Sequence, residues 1–226
     1  MTMEEQTQAQ TPETASTDAP EIANPFLLGR KIGMLQHFRP DGTVVGATII
    51  SAEPNVVTFV RTRERDGYAA VQIGYGAIAE RRLTKPALGH IKGLSPLRVL
   101  REIRLDDVSG FERGQQIGVG RFAAGDKVDI TGVSKGKGFQ GPVHLHHFKT
   151  GPKTHGSDHY RRQGSVGAGT TPGRVLKGMR MARKMGVDRV TVQNLEILRS
   201  DAGRGVLIVK GAIPGARNGI VLVRKA

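Results

Sequence analysis

The chain contains no cysteine and no tryptophan. The first absence excludes disulfides, thiolate metal sites and cysteine nucleophiles. The second, with aromatics at only 4% of residues, argues against a platform that stacks the bases of single strands, because such a platform needs exposed rings. No apolar run approaches the roughly 18 residues of a membrane-spanning helix. The first residues lack the basic start and apolar centre of a secretory signal, and their acidity speaks against an organellar transit peptide. A cytoplasmic protein is expected. Acids are also missing from one long stretch: between Val133 and Gly186 there is only Asp158.

What is present is positive charge. The 226 residues hold 34 Lys and Arg against 20 Asp and Glu, a formal +14. Residues 1–24 carry Glu4, Glu5, Glu13, Asp18 and Glu21 and no cation, which leaves 34 cations against 15 acids, a net +19, on residues 25–226. A folded region that basic attracts phosphate backbones. Residues 1–24 are otherwise Thr, Gln, Ala and Pro with almost nothing large and apolar, so they are predicted to form a disordered acidic tail.

From Pro25 onward the pattern turns strand-like. Gly29–Phe38 reads as a first strand, and Asp41-Gly42 turns the chain into the β-branched run Thr43–Ile50. Asn55–Arg61 and Tyr68–Tyr75 read as two strands around a charged turn at Arg63–Gly67. Leu83–Leu94 breaks the alternation and is compatible with a short helix. Val99–Leu105, Lys127–Val133, Arg189–Leu198, Val206–Val209 and Ile220–Val223 complete the set. Short strands at roughly 8–12-residue spacing point to a mainly β fold, a barrel or a sandwich. The chain divides into the tail (1–24), a first β segment with an insertion (25–132), a basic arm (133–186) and C-terminal strands that complete the same barrel (187–226).

The arm holds eleven Lys and Arg, five His and eleven Gly. It is too polar to form its own core, and loops of this length without one are usually functional. Ser134–Gly141 alternates Gly with Lys135 and Lys137. Gly lets backbone approach a phosphate and Lys neutralises it, although the same run would serve as a flexible hairpin connection. It is not a phosphate-binding Walker loop, because the spacing and the final Gly-Lys-Ser/Thr are missing. His144, His146, His147, His155 and His159 raise a metal reading; His144 and His146 would face one way on a strand. Eleven cations and a single carboxylate make a poor home for a dication, so no metal or other cofactor is expected. Thr171–Gly186 places Arg174, Lys177, Arg180, Arg183 and Lys184 at a spacing that gathers most of them on one side if the segment is helical, with Gly178 opposing a long helix. No catalytic constellation can be assembled from spacing.

These residues resemble the large-subunit ribosomal protein L-three family, bacterial type. The resemblance covers residues 27–226. It rests on the Gly29–Phe38 opening; Phe122 to Asp129, Gly132, Ser134, Gly136, Lys137, Gly138 and Gly141; Thr154-His155-Gly156, Arg161, Gly164–Gly167 and Pro172–Val175; and Val190–Leu195 with Val209–Gly215. There are departures. Leu145 stands where the signature has Arg, and His144 and His146 replace the usual Lys and aromatic. Arg183 replaces a Gly, and Gly151 occupies the position where some members carry a methylated Gln.

The resemblance implies a six-stranded barrel of the translation-protein type with a short helical insertion. It implies an arm that reaches through rRNA toward the peptidyl transferase centre, early binding near the 3′ portion of the large rRNA, and contacts with neighbouring ribosomal proteins. The expected RNA-binding residues are Lys135, Lys137, Lys149, Lys153, His155, Arg161, Arg162, Arg174, Lys177, Arg180, Arg183 and Lys184. A free RNA chaperone or translation regulator would use the same arm; an RNA-processing enzyme built on the histidines would need metal dependence or turnover.

Overall fold

A computed structural model describes residues 25–226; the predicted acidic tail lies outside the described residues. The strands are β1 (Phe26–Phe38), β2 (Val44–Ser51), β3 (Asn55–Arg61), β4 (Ala70–Ala77), β5 (Leu97–Arg104), β6 (Gln116–Ile117), β7 (Lys127–Val133), β8 (Phe139–Gln140), β9 (Arg183–Lys184), β10 (Arg189–Asp201), β11 (Val206–Lys210) and β12 (Ile220–Lys225). Three short helices join them: α1 (Arg63–Asp66), α2 (Lys85–His90) and α3 (Pro142–His146).

Six strands close an antiparallel barrel in the order β1-β12-β7-β10-β11-β2. Two 13-residue strands each serve two neighbours. The first half of β1 pairs with β12, from Phe26↔Arg224 to Arg30↔Ile220, and its second half pairs with β2 as far as Phe38↔Val44. In the same way β10 pairs with β7 over Arg189–Glu196 and with β11 over Ile197–Asp201. Register shifts between Lys31 and Gly33 and between Val192 and Leu195 supply the bends, since an extra residue sharpens the local twist and turns the strand. At the second bend Asn194 has φ 57°, and its N–H donates to Asp129 Oδ1 at 2.9 Å.

Alternation fills the barrel. Leu27, Ile50, Val128, Ile130, Ile197, Leu207, Val209, Val221 and Val223 point inward and are buried together. Phe26, Leu28 and Leu222 point the other way, into a second core. That core is roofed by a four-stranded sheet, β5-β4-β3-β6, whose Val57, Val71, Ile73, Tyr75, Ile103 and Ile117 face the barrel wall. Both faces of β1 are therefore covered at its start, which is why Phe26-Leu27-Leu28 is an unbroken apolar run.

The six-stranded barrel and the short helix within Leu83–Leu94 are as predicted. The insertion is more than helical, however: the strands read at Asn55–Arg61 and Tyr68–Tyr75 belong to this second sheet, and the turn between them is α1, ended by Gly67 at φ 79°.

Candidate nucleic-acid interface

The arm leaves the barrel at Val133 and returns at Arg189, and these two residues are register partners in the β7–β10 ladder. Its root continues that ladder outward. Ser134 N–H donates to Asp188 O at 2.9 Å, Lys137 N–H to Met185 O at 2.9 Å and Met185 N–H to Gly138 O at 2.9 Å; β8 and β9 then pair Phe139 with Lys184 and Gln140 with Arg183. Gly186 has φ 80°, and a Cβ there would sit 2.1 Å from Lys135 O. Only glycine lets the two legs come this close.

Beyond the root the chain turns through α3, with Pro142 in its first turn and His147 at φ 58° closing it. His144 and His146 are thus on a helix rather than at alternate strand positions. Pro142, whose fixed φ suits a helix start, overrides the apparent alternation. His146 Nε2 lies 3.1 Å from Met181 O and braces one leg on the other. Near the tip Gly151 N–H donates to Tyr160 O at 3.0 Å, and a Cβ on Gly151 would meet His159 O at 2.4 Å. No side chain fits there in this conformation. Thr171–Gly186 is not helical either: apart from β9 it is turns and extended chain, with Gly173 at φ 67° and Gly178 at φ 82°. Arg174, Lys177 and Arg180 therefore do not share a helix face.

All twelve expected RNA-binding residues lie on this arm and all are exposed. No residue from Val133 to Arg189 is buried. Seven ion pairs form among the described residues, on Arg39, Arg61 (two), Arg65, Arg199, Lys210 and Lys225. None involves an arm cation. The barrel end beside the root adds to the field. Lys31 Nζ donates to Ile213 O at 2.8 Å and Gly215 O at 3.2 Å, and burial, with Lys135 adding repulsion, lowers its pKa from the ordinary lysine value.

Scarce aromatics concealed two exposed rings on the arm. Phe139 is 72% exposed and Tyr160 47%. Tyr160, Lys153, Arg161 and Val143 line a cleft of about 500 Å³ near the tip, where a ring and two cations offer stacking and charge together. The triplet Tyr160-Arg161-Arg162 was the available signal.

Large ribosomal subunit protein uL3 of Herpetosiphon aurantiacus is 52% identical over 202 residues, covering 88% of this chain and 95% of that protein. The chain belongs to the ribosomal protein L3 family. The family's own sequence model, described as Ribosomal protein L3, matches residues 108–206, a stretch that includes β7, the whole arm and β10. Other L3 relatives agree: uL3 of Heliobacterium modesticaldum is 47% identical over 207 residues, 91% of this chain and 98% of that protein. For Nocardia farcinica the figures are 50% over 203 residues, 88% and 92%. The L3 likeness thus spans both the barrel and the arm.

Proposed function

We propose that the chain is a structural, non-catalytic constituent of the large ribosomal subunit that binds large-subunit rRNA through its arm. The observation that carries this is the set of eleven arm cations, all exposed and none ion-paired among the described residues. A surface with that charge and a single carboxylate, Asp158, gains free energy by neutralising phosphates and releasing their counterions. Its two thin legs, joined through glycine, fit between RNA helices recognised by shape and backbone. Family membership supports the finer reading: binding near the 3′ end of the large rRNA, a part in nucleating subunit assembly, support of the peptidyl transferase region, and contacts with neighbouring ribosomal proteins.

The salt dependence of RNA binding tests this. Replacing Lys135 and Lys137 by Gln lowers the slope of log K against log salt by about 1.5 if both touch phosphate. Replacing Arg199 and Lys210, which sit on the barrel and have carboxylate partners at 3.8 and 3.9 Å, changes it less. An unchanged slope in the arm variant overturns the assignment. Sedimentation separates a subunit protein, which stays with large subunits through a salt wash, from a free RNA chaperone, which does not.

A further inference from the structure

A second cationic site lies away from the arm. Where the four-stranded sheet meets the barrel wall, a cleft of about 630 Å³ is lined by Arg63, Tyr68, Arg104 and Arg224. It continues into one of about 450 Å³ that shares Arg104 and Arg224 and ends at Arg189, the residue at which the arm re-enters. All four arginines are exposed, and no carboxylate among the described residues pairs with any of them. The Arg104 guanidinium lies over the Tyr68 ring, 5.1 Å from its centroid.

Three acids, Asp106, Glu102 and Asp129, also line the cleft. Glu102 accepts from Arg61 Nε at 3.0 Å and Tyr68 OH at 2.9 Å, and Asp129 accepts from Asn194 N–H. Glu102 is thereby ion-paired with Arg61, whereas a neutral backbone N–H leaves the charge of Asp129 in place, so Asp106 and Asp129 stand against four arginines.

The chain's only strongly acidic stretch is tethered at this cleft. Phe26 is the register partner of Arg224, and Pro25 O accepts from Lys225 N–H at 3.0 Å, so residues 1–24 join the described structure beside the cleft mouth. Glu21 is four residues before Pro25 and therefore within about 14 Å of it. Residues 1–24 bring five acids and no cation at an effective concentration on the order of millimolar. The acids nearest Pro25 reach the Arg224 end of the cleft first, because Val133, at the arm root, lies at the far end of β7, roughly 17 Å from Val128, the register partner of Lys225.

We infer that the Arg63–Arg104–Arg224 cleft is the docking site of the chain's own acidic segment, residues 1–24, which occupies it until a polyanion competes. Nucleic acid laid along the cleft toward Arg189 must displace the segment. The free protein therefore binds stray RNA more weakly than its net charge would dictate.

Two measurements on the full chain test this. Because the chain has no cysteine, Ala9→Cys carries a single nitroxide label. At low salt the label broadens the amide signals of Tyr68, Arg104 and Arg224 selectively. The broadening disappears at about 0.5 M salt, where exposed ion pairs are screened, and when Glu4, Glu5, Glu13, Asp18 and Glu21 are replaced by their amides. Broadening centred on the arm, spread evenly over the barrel, or insensitive to the amide replacements overturns the docking.

Affinity for a short RNA duplex provides a double-mutant cycle. Neutralising the five acids tightens binding by about threefold to tenfold, the scale of a few exposed ion pairs made within one chain. The gain vanishes when Arg63→Gln, Arg104→Gln and Arg224→Gln are also present. An equal gain in both backgrounds shows the acids acting as diffuse charge and overturns the proposal; RNA seated in the cleft with no gain on neutralisation does so too. The label experiment is independent of RNA, so failure of the RNA-binding reading is distinguishable from failure of the docking.

Discussion

The Asn55 side chain pairs with the backbone of Leu28 on both sides: Leu28 N–H donates to Asn55 Oδ1 at 2.8 Å, and Asn55 Nδ2 donates to Leu28 O at 3.0 Å. Asn55 is fully buried and starts β3. Its amide thus acts as a surrogate strand residue at the seam where the second sheet meets β1, and Nδ2 also reaches Glu53 O at 3.0 Å. Asn55→Ala orphans two buried backbone groups of Leu28 and costs about 2–4 kcal/mol. Denaturant unfolding checks this, with the midpoint falling and the slope unchanged. A loss under about 0.5 kcal/mol, the range of ordinary surface changes, contradicts the role.

Gly186 offers a way to damage the arm without the barrel. Gly186→Ala places a methyl against Lys135 O in a backbone region that L residues avoid, so the legs must part at the root. No arm residue is buried, so the barrel unfolds at nearly the same denaturant concentration while RNA affinity falls severalfold. Loss of the fold itself would show that the root holds the barrel together.

Proteolysis reads the same division. Trypsin cuts first between Lys135 and Lys184, where no apolar burial opposes local opening, and spares Arg189–Arg224. A gel time course with early fragments from the barrel and an intact arm is the contrary result.

Acid stability depends on Asp126. Its carboxylate accepts from Ala123 N–H at 3.0 Å and from Lys225 Nζ at 3.0 Å, tying the start of β7 to the end of β12. The Ala123 hydrogen bond and then the Lys225 ammonium lower its pKa from the usual 3.8. A carboxyl depressed on folding stabilises above its unfolded pKa and loses that contribution as pH falls through the folded one. Asp126→Asn is therefore less stable than the native chain at pH 7, and the difference shrinks as pH drops below about 4. Unfolding midpoints at the two pH values measure it; a constant difference would exclude the carboxylate as its source.

Much of this was legible in sequence because strands announce themselves locally. Lys127–Val133 alternates by itself, and β7 occupies those residues. The arm's composition was visible for a different reason, its eleven cations and eleven glycines; its large apolar residues Phe139, Val175, Leu176, Met179 and Met181 find no cover and stay exposed. The partition into two sheets was not legible, because it depends on which faces meet: Phe26 and Leu28 go to one core and Leu27 to the other. Asn55 was equally silent, as its partner lies 27 residues away. Short strands such as β6 and β8 exist only through their partners, and Gly141-Pro142 carried a helix-start signal that the His144/His146 alternation masked.

The order in which the parts are made follows from the β7–β10 pairing. β10, β11 and β12 all lie in the last 38 residues, so half of the barrel strands are missing until synthesis is nearly finished. The second sheet is contiguous from Asn55 to Ile117 and is complete much earlier. Joining β7 to β10 also means closing a 55-residue gap, which costs about 2 kcal/mol more entropy than a four-residue turn and slows folding accordingly. The basic arm therefore emerges from the translating ribosome before the barrel that anchors it can close.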